Sequence, residues 1–175
     1  MTVVFIGGSR RVTRLADEVV RRLEKIVERR LPVVVGDANG ADRAVQAFFA
    51  ARGYELVTVF CTGGVCRNNV GGWPLRAAPA PAGKRGFEFY AAKDVALADE
   101  ATVGLMLWDG TSRGTLANVE RLVARRKPVL VYSATRREFV AVRGPDDLAA
   151  LRHRVGAPDD GPRGAAADED QAALF

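Results

Sequence analysis

Short apolar runs alternate with longer amphipathic stretches along this chain. Five runs have the length of strands, and they span residues 3–6, 33–35, 56–60, 103–108 and 129–132. Between the runs, apolar residues recur every three or four positions, which predicts amphipathic helices. The alternation predicts an α/β fold: a Rossmann-like three-layer αβα sandwich whose mainly parallel sheet has about five strands.

The ends of the periodic stretches predict where the helices lie. The first stripe runs from Val12 to Ile26 and stops near Pro32, because proline cannot continue a helix. A second helix is expected over 41–52, with Gly53 closing it. The remaining elements are helices over 87–98 and about 115–126, then a weaker strand over 138–142 and a weaker helix over 145–153.

Residues 61–86 interrupt this rhythm. They hold six glycines, three prolines, both cysteines and Trp73, which predicts a long loop. Side chains of this loop could reach over the ligand crevice as a lid. Two cysteines cannot form a disulfide framework for a chain of this size, and the Cys61-x4-Cys66 spacing has no partner cluster for zinc. We therefore expect no metal and no cofactor.

The charge is distributed unevenly along the chain. Lys and Arg number 26 and Asp and Glu number 21, but the last twenty residues hold five acids and one base. We expect a single domain over 1–155 and a disordered acidic tail over 156–175. The basic body indicates an anionic partner. No apolar run reaches the roughly 18–20 residues of a membrane helix, and the first apolar run is typical of a strand, so we expect a cytoplasmic protein and no membrane partner.

Glycine-rich turns follow the strands that end at residues 6, 35 and 108. The third turn, Asp109–Thr115, opens a helix and is rich in hydroxyl side chains. Free amides at the helix start, these hydroxyls and the guanidinium of Arg113 could bind a phosphate. The alternative is a tight turn in which Ser or Thr caps the helix.

The first two turns carry other candidate groups. In the second turn, Gly40 is a candidate for close approach of the backbone to a ligand, and Asp37 or Asn39 could bind ribose hydroxyls. Asp42 could equally be structural or catalytic. In the first turn, Ser9 could cap the following helix or bind the ligand.

Four segments resemble the SLOG superfamily of Rossmann-like proteins, which includes the Lonely Guy type phosphoribohydrolases and DNA-processing proteins. They are Phe5–Arg10, Val35–Arg43, Arg67–Asn69 and Trp108–Asn118. The similarity covers about residues 3–132 and is closest to the uncharacterised bacterial branch. The resemblance implies a site for a nucleotide or nucleotide-derived ligand. Related families commonly build such sites at a dimer interface, so the resemblance is also consistent with a homodimer.

The residues expected to contact this ligand come from the three turns, the long loop and the helix after the third turn. They are Gly8, Ser9, Arg10, Gly36, Asp37, Asn39, Gly40, Asp42, Arg67, Asn68, Gly110, Thr111, Ser112, Arg113, Gly114, Thr115 and Asn118.

Catalysis is the open question in this interpretation. In the phosphoribohydrolases a Glu lies on the helix after the glycine-rich loop, and here Asn118 stands in its place; an amide is neither a base nor a nucleophile. Glu88, between aromatic residues, or Asp109 could replace it, although Glu88 could equally be an ordinary acid of the first helical turn. We therefore favour a nucleotide-binding sensor or effector module. The alternative is a nucleoside 5′-monophosphate N-glycosidase.

Direct binding to nucleic acid is not expected from the sequence. The arginines lie mostly on the outer faces of predicted helices, and no interleaving of aromatic and basic residues accompanies them.

Overall fold

A computed structural model describes residues 1–155 and Phe175, so the predicted acidic tail lies, apart from Phe175, outside the described residues. The strands are β1 (Val4–Gly8), β2 (Val33–Gly36), β3 (Val57–Thr62), β4 (Leu75–Ala78), β5 (Val103–Trp108), β6 (Val129–Ser133) and β7 (Glu138–Val142). The helices are α1 (Asp17–Glu28), α2 (Ala41–Ala50), α3 (Phe87–Glu100), α4 (Arg113–Ala124) and α5 (Pro145–Val155).

The strands form one sheet in the order β4-β3-β2-β1-β5-β6-β7. The first six are mutually parallel, and β7 pairs antiparallel with β6 at the edge. Val4 of β1 pairs with Val33 of β2 on one side and with Val103 of β5 on the other. The chain order reverses direction at this point, and ligands of open α/β sheets bind at the carboxyl ends of such strands. The predicted α/β fold is confirmed.

Helices cover both faces of the sheet. Leu23 of α1 and Phe49 of α2 belong to the core on one face, whereas Leu97 of α3 and Leu122 of α4 belong to the core on the other. Every residue from Val103 to Trp108 is buried, because a central parallel strand is covered on both sides. This double burial explains why the central strands are continuous apolar runs in the sequence.

Two local predictions about the elements were wrong. The 61–86 segment contains the edge strand β4, whose first three residues are exposed, so it carries no apolar run that would reveal it. Helix α1 begins at Asp17, not at Val12. Val12 donates its amide to the Ser9 carbonyl in a turn and packs against the core from the loop, which is why it extends the apolar stripe without being helical.

Candidate functional site

A cleft of about 730 Å³ opens at the carboxyl ends of the central strands. Gly8 of β1 and Gly36 of β2 lie in its lining, helix α3 supplies residues of another wall, and the Asp109–Thr115 loop with the start of α4 closes the opposite side. The volume lies in the range of small-ligand sites, and the position is the one the switch-point rule assigns to a ligand.

The carboxylate of Asp109 organises the loop before α4. Its Oδ1 accepts hydrogen bonds from the amides of Thr111 (3.0 Å) and Ser112 (2.8 Å). Burial tends to raise the pKa of Asp109, but these donors outweigh it and the pKa is lowered. The carboxylate is therefore held in its charged form as an internal acceptor, a state that suits a turn better than a general acid.

A chain of hydroxyl groups joins this loop to the end of β1. Ser112 caps α4 and accepts from the Thr115 amide, while the Thr115 hydroxyl lies 3.1 Å from the Ser9 hydroxyl. Ser9 is fully buried and its Oγ also accepts from the amide of Asp109. Ser9 lies outside the cleft lining, and the hydroxyls of Ser112 and Thr115, which were expected to bind phosphate, are engaged with each other.

Other donors of this loop remain available to an anion. The first amides of an α-helix have no intrahelical partner, and among the described residues no acceptor is assigned to the amides of Arg113 and Gly114. The side chains of Arg10, Arg11 and Arg113 are exposed and line the same cleft. Asn118 also lines it, with its Oδ1 accepting from Arg121 at 2.7 Å. The lining of the cleft thus includes three exposed guanidinium groups and a helix N-terminus.

The second turn is occupied by the 61–86 segment. Arg67 forms a two-pronged ion pair with Asp37, and the Asn68 amide donates to the Asp37 carbonyl (2.8 Å) and to Asn39 Oδ1 (3.0 Å). The buried Gln46 donates to the carbonyls of Gly36 and Asn68. The expected ribose-binding groups Asp37 and Asn39 therefore hold this segment in place, and the residues around Arg67 form a fixed wall.

Gly40 allows a close approach between two parts of the backbone, its own turn and the turn that contains Arg10. Its φ is +81°, and a Cβ there would collide with the backbone of Arg10. Glycine is required because the second turn packs directly on the first, so the predicted approach to a ligand is replaced by an approach between two loops. Gly36 differs: a Cβ there would meet Asp42 Oδ2 and Lys93 Nζ beside the cleft.

Three charged side chains in the cleft lining form a cluster, and two of them were not among the predicted site residues. Lys93 is 5% exposed and its Nζ donates to Asp94 Oδ1 at 2.8 Å. Asp42 is 6% exposed and accepts from the amide of Ala38. Burial raises the pKa of Asp42 to about 6 against the opposing charge of Lys93. Burial tends to lower the pKa of Lys93, but Asp94 and Asp42 outweigh it and the pKa is raised.

Aromatic rings lie beside the cleft arginines. Tyr90 lies 4.2 Å from the Arg67 guanidinium and 5.9 Å from that of Arg10, measured to its ring centre. Phe87 lines the cleft and is 60% exposed. These residues are far apart in sequence, so the mixture of aromatic and basic groups that the sequence lacks is created by the fold.

Glu88 lies on the outer side of α3. Its side chain is 62% exposed and pairs with Lys84 at 2.9 Å, and it is absent from the cleft lining. The apolar surroundings expected for this carboxyl are not found, because the first turn of α3 projects into solvent. With Glu88 outside and Asp109 engaged, neither carboxylate proposed from the sequence is arranged for acid–base work.

Both cysteines are free thiols. Cys61 is buried and Cys66 is partly buried, and burial raises the pKa of each. Within residues 1–155 and Phe175, no group of three or more His, Cys, Asp or Glu side chains has the arrangement of a metal site.

The fold and the cleft define a Rossmann-like α/β protein with a basic cleft at the switch point of its sheet. No family model and no curated protein sequence matches the chain. A solved structure with the same fold is DNA processing protein A from Helicobacter pylori, described for its single-stranded DNA binding mode. The two are 13% identical with a TM-score of 0.55 over 74% of this chain and 64% of that chain. The chain therefore spans less than two thirds of that neighbour's length.

This neighbour corrects one expectation and leaves others open. A protein with the same fold binds single-stranded DNA, so the expectation against a nucleic-acid partner was wrong. The likeness is compatible with the resemblance to the SLOG superfamily, while membership, the 1–155 boundary and a homodimer stay predictions. In the part of the chain that the structure describes, no helix has the length and hydropathy of a membrane span.

Proposed function

We propose that this protein binds a nucleotide or nucleotide-derived ligand in the switch-point cleft, as a sensor or effector module. The observation that carries the proposal is that Arg10, Arg11 and Arg113 line the same cleft as the first residues of α4. Anions are stabilised at helix N-termini, and guanidinium groups add charge-assisted hydrogen bonds to phosphate oxygens.

The rest of the cleft fits the remainder of such a ligand. Its volume of about 730 Å³ exceeds what a phosphate alone needs. The exposed ring of Phe87 offers a face for stacking on a base, and the cluster around Asp42 offers polar contacts. Asp109 accepts hydrogen bonds within its own turn, and Glu88 forms a surface ion pair with Lys84. We therefore favour ligand binding over glycosidic cleavage as the function.

The test is calorimetric titration with nucleoside 5′-mono-, di- and triphosphates and with the matching nucleosides. Arg113→Ala should weaken phosphate-bearing ligands about 10-fold, as expected for loss of one charge-assisted contact, and should leave nucleosides unaffected. Arg29→Ala is the matched control, since this exposed arginine follows α1 at the far end of the sheet. Chromatography of the titrated samples should show intact ligand. Absence of binding by every nucleotide would overturn the proposal, and release of free base would instead establish the glycosidase.

Single-stranded nucleic acid is a second candidate ligand, favoured by the aromatic and basic side chains that line the cleft. Exposed rings beside guanidinium groups are how proteins bind single strands, through base stacking and backbone neutralisation. Phe87, with Arg10 and Arg113 in the same lining, has this character, and the fold neighbour binds single-stranded DNA.

Oligonucleotide titrations separate the two candidates. If a single strand runs along the cleft, the protein should bind a thymidine oligomer more tightly than a mononucleotide. The affinity for the oligomer should fall steeply with salt. Phe87→Ala should weaken the oligomer by roughly 10-fold, in line with about 1–3 kcal/mol per stacked base. Equal affinity for monomer and oligomer would exclude the extended mode.

A further inference from the structure

We propose that Asp42 and Asp94 form a subsite for the cis-diol of ribose, so that the cleft selects ribonucleotides over 2′-deoxyribonucleotides. This inference rests on the proposed function and specifies its ligand class. It concerns residues of α2 and α3 rather than residues of the Asp109–Thr115 loop.

Among the described residues, each of the two carboxylates has an oxygen without a hydrogen-bond partner. Asp42 accepts from the Ala38 amide through Oδ2, and Asp94 accepts from Lys93 through Oδ1. In the described residues, the fully buried side-chain atom that lacks a hydrogen bond is the Tyr132 hydroxyl. The second oxygens of Asp42 and Asp94 are therefore not sealed in the core; they belong to residues that line the cleft and can accept from a ligand.

Asp42 is buried too deeply to be an ordinary surface acid. It is 6% exposed, and its pKa near 6 reflects a carboxylate that has lost water and gained few donors in return. A ligand that brings hydroxyl donors would replace the missing hydrogen bonds. Hydrogen bonds to charged groups are the stronger class, so this exchange favours a hydroxyl-rich ligand.

The charge of the cluster directs the ligand's orientation. Lys93 compensates one of the two carboxylates, and Asp37 is compensated separately by Arg67. The cluster therefore keeps a net negative charge and repels phosphate, whereas the start of α4 with Arg113 attracts it. A nucleotide enters with its phosphate at α4 and its neutral hydroxyls at Asp42 and Asp94.

The separation of the two ends fits this orientation. Asp42 follows β2 and the α4 loop follows β5, and these strands flank β1. Neighbouring strands lie about 4.8 Å apart, so the ends of β2 and β5 are separated by two such spacings. A 5′-phosphate and ribose, with a hydrogen bond of about 2.8 Å at either end, fill such a span.

The experiment compares ribo- and deoxyribonucleotides in the same protein sample at pH 7.5. The probes are AMP against 2′-deoxy-AMP and UMP against 2′-deoxy-UMP, titrated by calorimetry. We expect each ribonucleotide to bind at least about 10-fold more tightly than its deoxy partner, since the missing hydroxyl leaves a carboxylate without a donor.

Two variants attribute that preference to the cluster. Asp94→Asn and Asp42→Asn keep the side-chain shape and should each reduce the ribose preference toward unity, with deoxyribonucleotide affinity unchanged or increased. Asp99→Asn, on the exposed surface of α3, should keep the full preference. The ratio is read within one protein sample, so a change in folded fraction does not alter it.

The outcomes separate this inference from the proposed function. Equal affinity for ribo- and deoxyribonucleotides, with clear phosphate-dependent binding, overturns the diol subsite and leaves nucleotide binding intact. A ribose preference that survives both substitutions also overturns it. No binding by any nucleotide overturns the proposed function itself. A preference lost in both variants and kept in Asp99→Asn establishes the subsite.

Discussion

The guanidinium of Arg67 donates two hydrogen bonds to the carboxylate of Asp37, from Nη2 to Oδ1 at 2.7 Å and from Nε to Oδ2 at 3.2 Å. The same guanidinium lies 4.2 Å from the ring centre of Tyr90. Arg67 thus joins the turn after β2, the 61–86 segment and helix α3. Its pairing fixes one wall of the cleft and removes Asp37 from the set of groups that can bind a ligand.

Breaking this pair should destabilise the protein in a pH-dependent way. Asp37 is 2% exposed, so Arg67→Met leaves a buried carboxylate without its cation, at a cost of about 2 kcal/mol at pH 7. Despite burial, hydrogen bonds from Arg67 lower the pKa of Asp37. Its stabilising contribution is therefore present above about pH 4, the unfolded value, and is lost as pH falls through the folded value. Urea unfolding at several pH values measures both effects.

Arg76→Met is the control for that experiment. Arg76 pairs with Glu100 at 2.8 Å, but both side chains are largely exposed, so the loss should stay below about 1 kcal/mol. If both variants lose the same stability, the Asp37 pair has no special role in holding the wall.

Removing the Ser9 hydroxyl should loosen the α4 loop. Ser9→Ala deletes the acceptor of the Asp109 amide and the contact with the Thr115 hydroxyl, and we expect a loss of about 1–3 kcal/mol. Hydrogen exchange of the Asp109 amide should accelerate and nucleotide affinity should fall. Ser133→Ala is the matched control, since its buried hydroxyl binds Thr135 and the Arg136 amide outside this cleft. Unchanged exchange at Asp109 in Ser9→Ala would contradict the predicted role.

The sequence predicts most of the sheet and the position of the cleft, for a definite reason. Central strands such as β5 are buried on both faces, so each appears as an uninterrupted apolar run. The glycine-rich turns after β1, β2 and β5 then come together because parallel strands carry their carboxyl ends to one edge. This much depends on local patterns and on the rule for connecting parallel strands.

The partners of the side chains could not be predicted in this way. Asp37 and Asn39 have the chemistry of ribose ligands, but which groups reach them depends on the path of a segment 30 residues away. Lys93 and Asp94 resemble ordinary helix charges until α3 packs over β2 and β3. Glu88 lies between aromatic residues in sequence, yet its helical turn leaves it in solvent. Such relationships arise from packing between distant elements.

Titration of Asp42 should make stability fall as pH rises through the mildly acidic range. Its folded pKa of about 6 lies above the unfolded value of about 4, so between these values the folded state binds more protons. Folding stability therefore decreases from pH 4 to pH 6 through this group. The groups acting on it are Lys93, which favours the charged form, and Asp94 and Asp37, which oppose it.

Asp42→Asn removes that titration and keeps an acceptor for the Ala38 amide. The unfolding free energy of the variant minus that of the wild type should rise by about 1–3 kcal/mol between pH 4.5 and 7.5. The carboxyl carbon of Asp42 in the wild type should titrate with a midpoint near 6 in NMR spectra. A midpoint below 4, or a free-energy difference that is constant with pH, would show that the carboxylate is well solvated.

The last residue of the chain should contribute to global stability. Phe175 is 3% exposed in the core beside α1, and its carbonyl accepts from Arg22 Nη1 at 2.8 Å. The Arg22 guanidinium lies 5.7 Å from the Phe175 ring centre and 5.4 Å from that of Phe139. Phe175→Ala removes a buried ring and should cost about 1–3 kcal/mol in urea unfolding. Phe87→Ala is matched in chemistry, but its ring is 60% exposed and its stability should change by less than about 0.5 kcal/mol. Equal unfolding midpoints for wild type and Phe175→Ala would mean that the terminal ring is not held against α1 in solution.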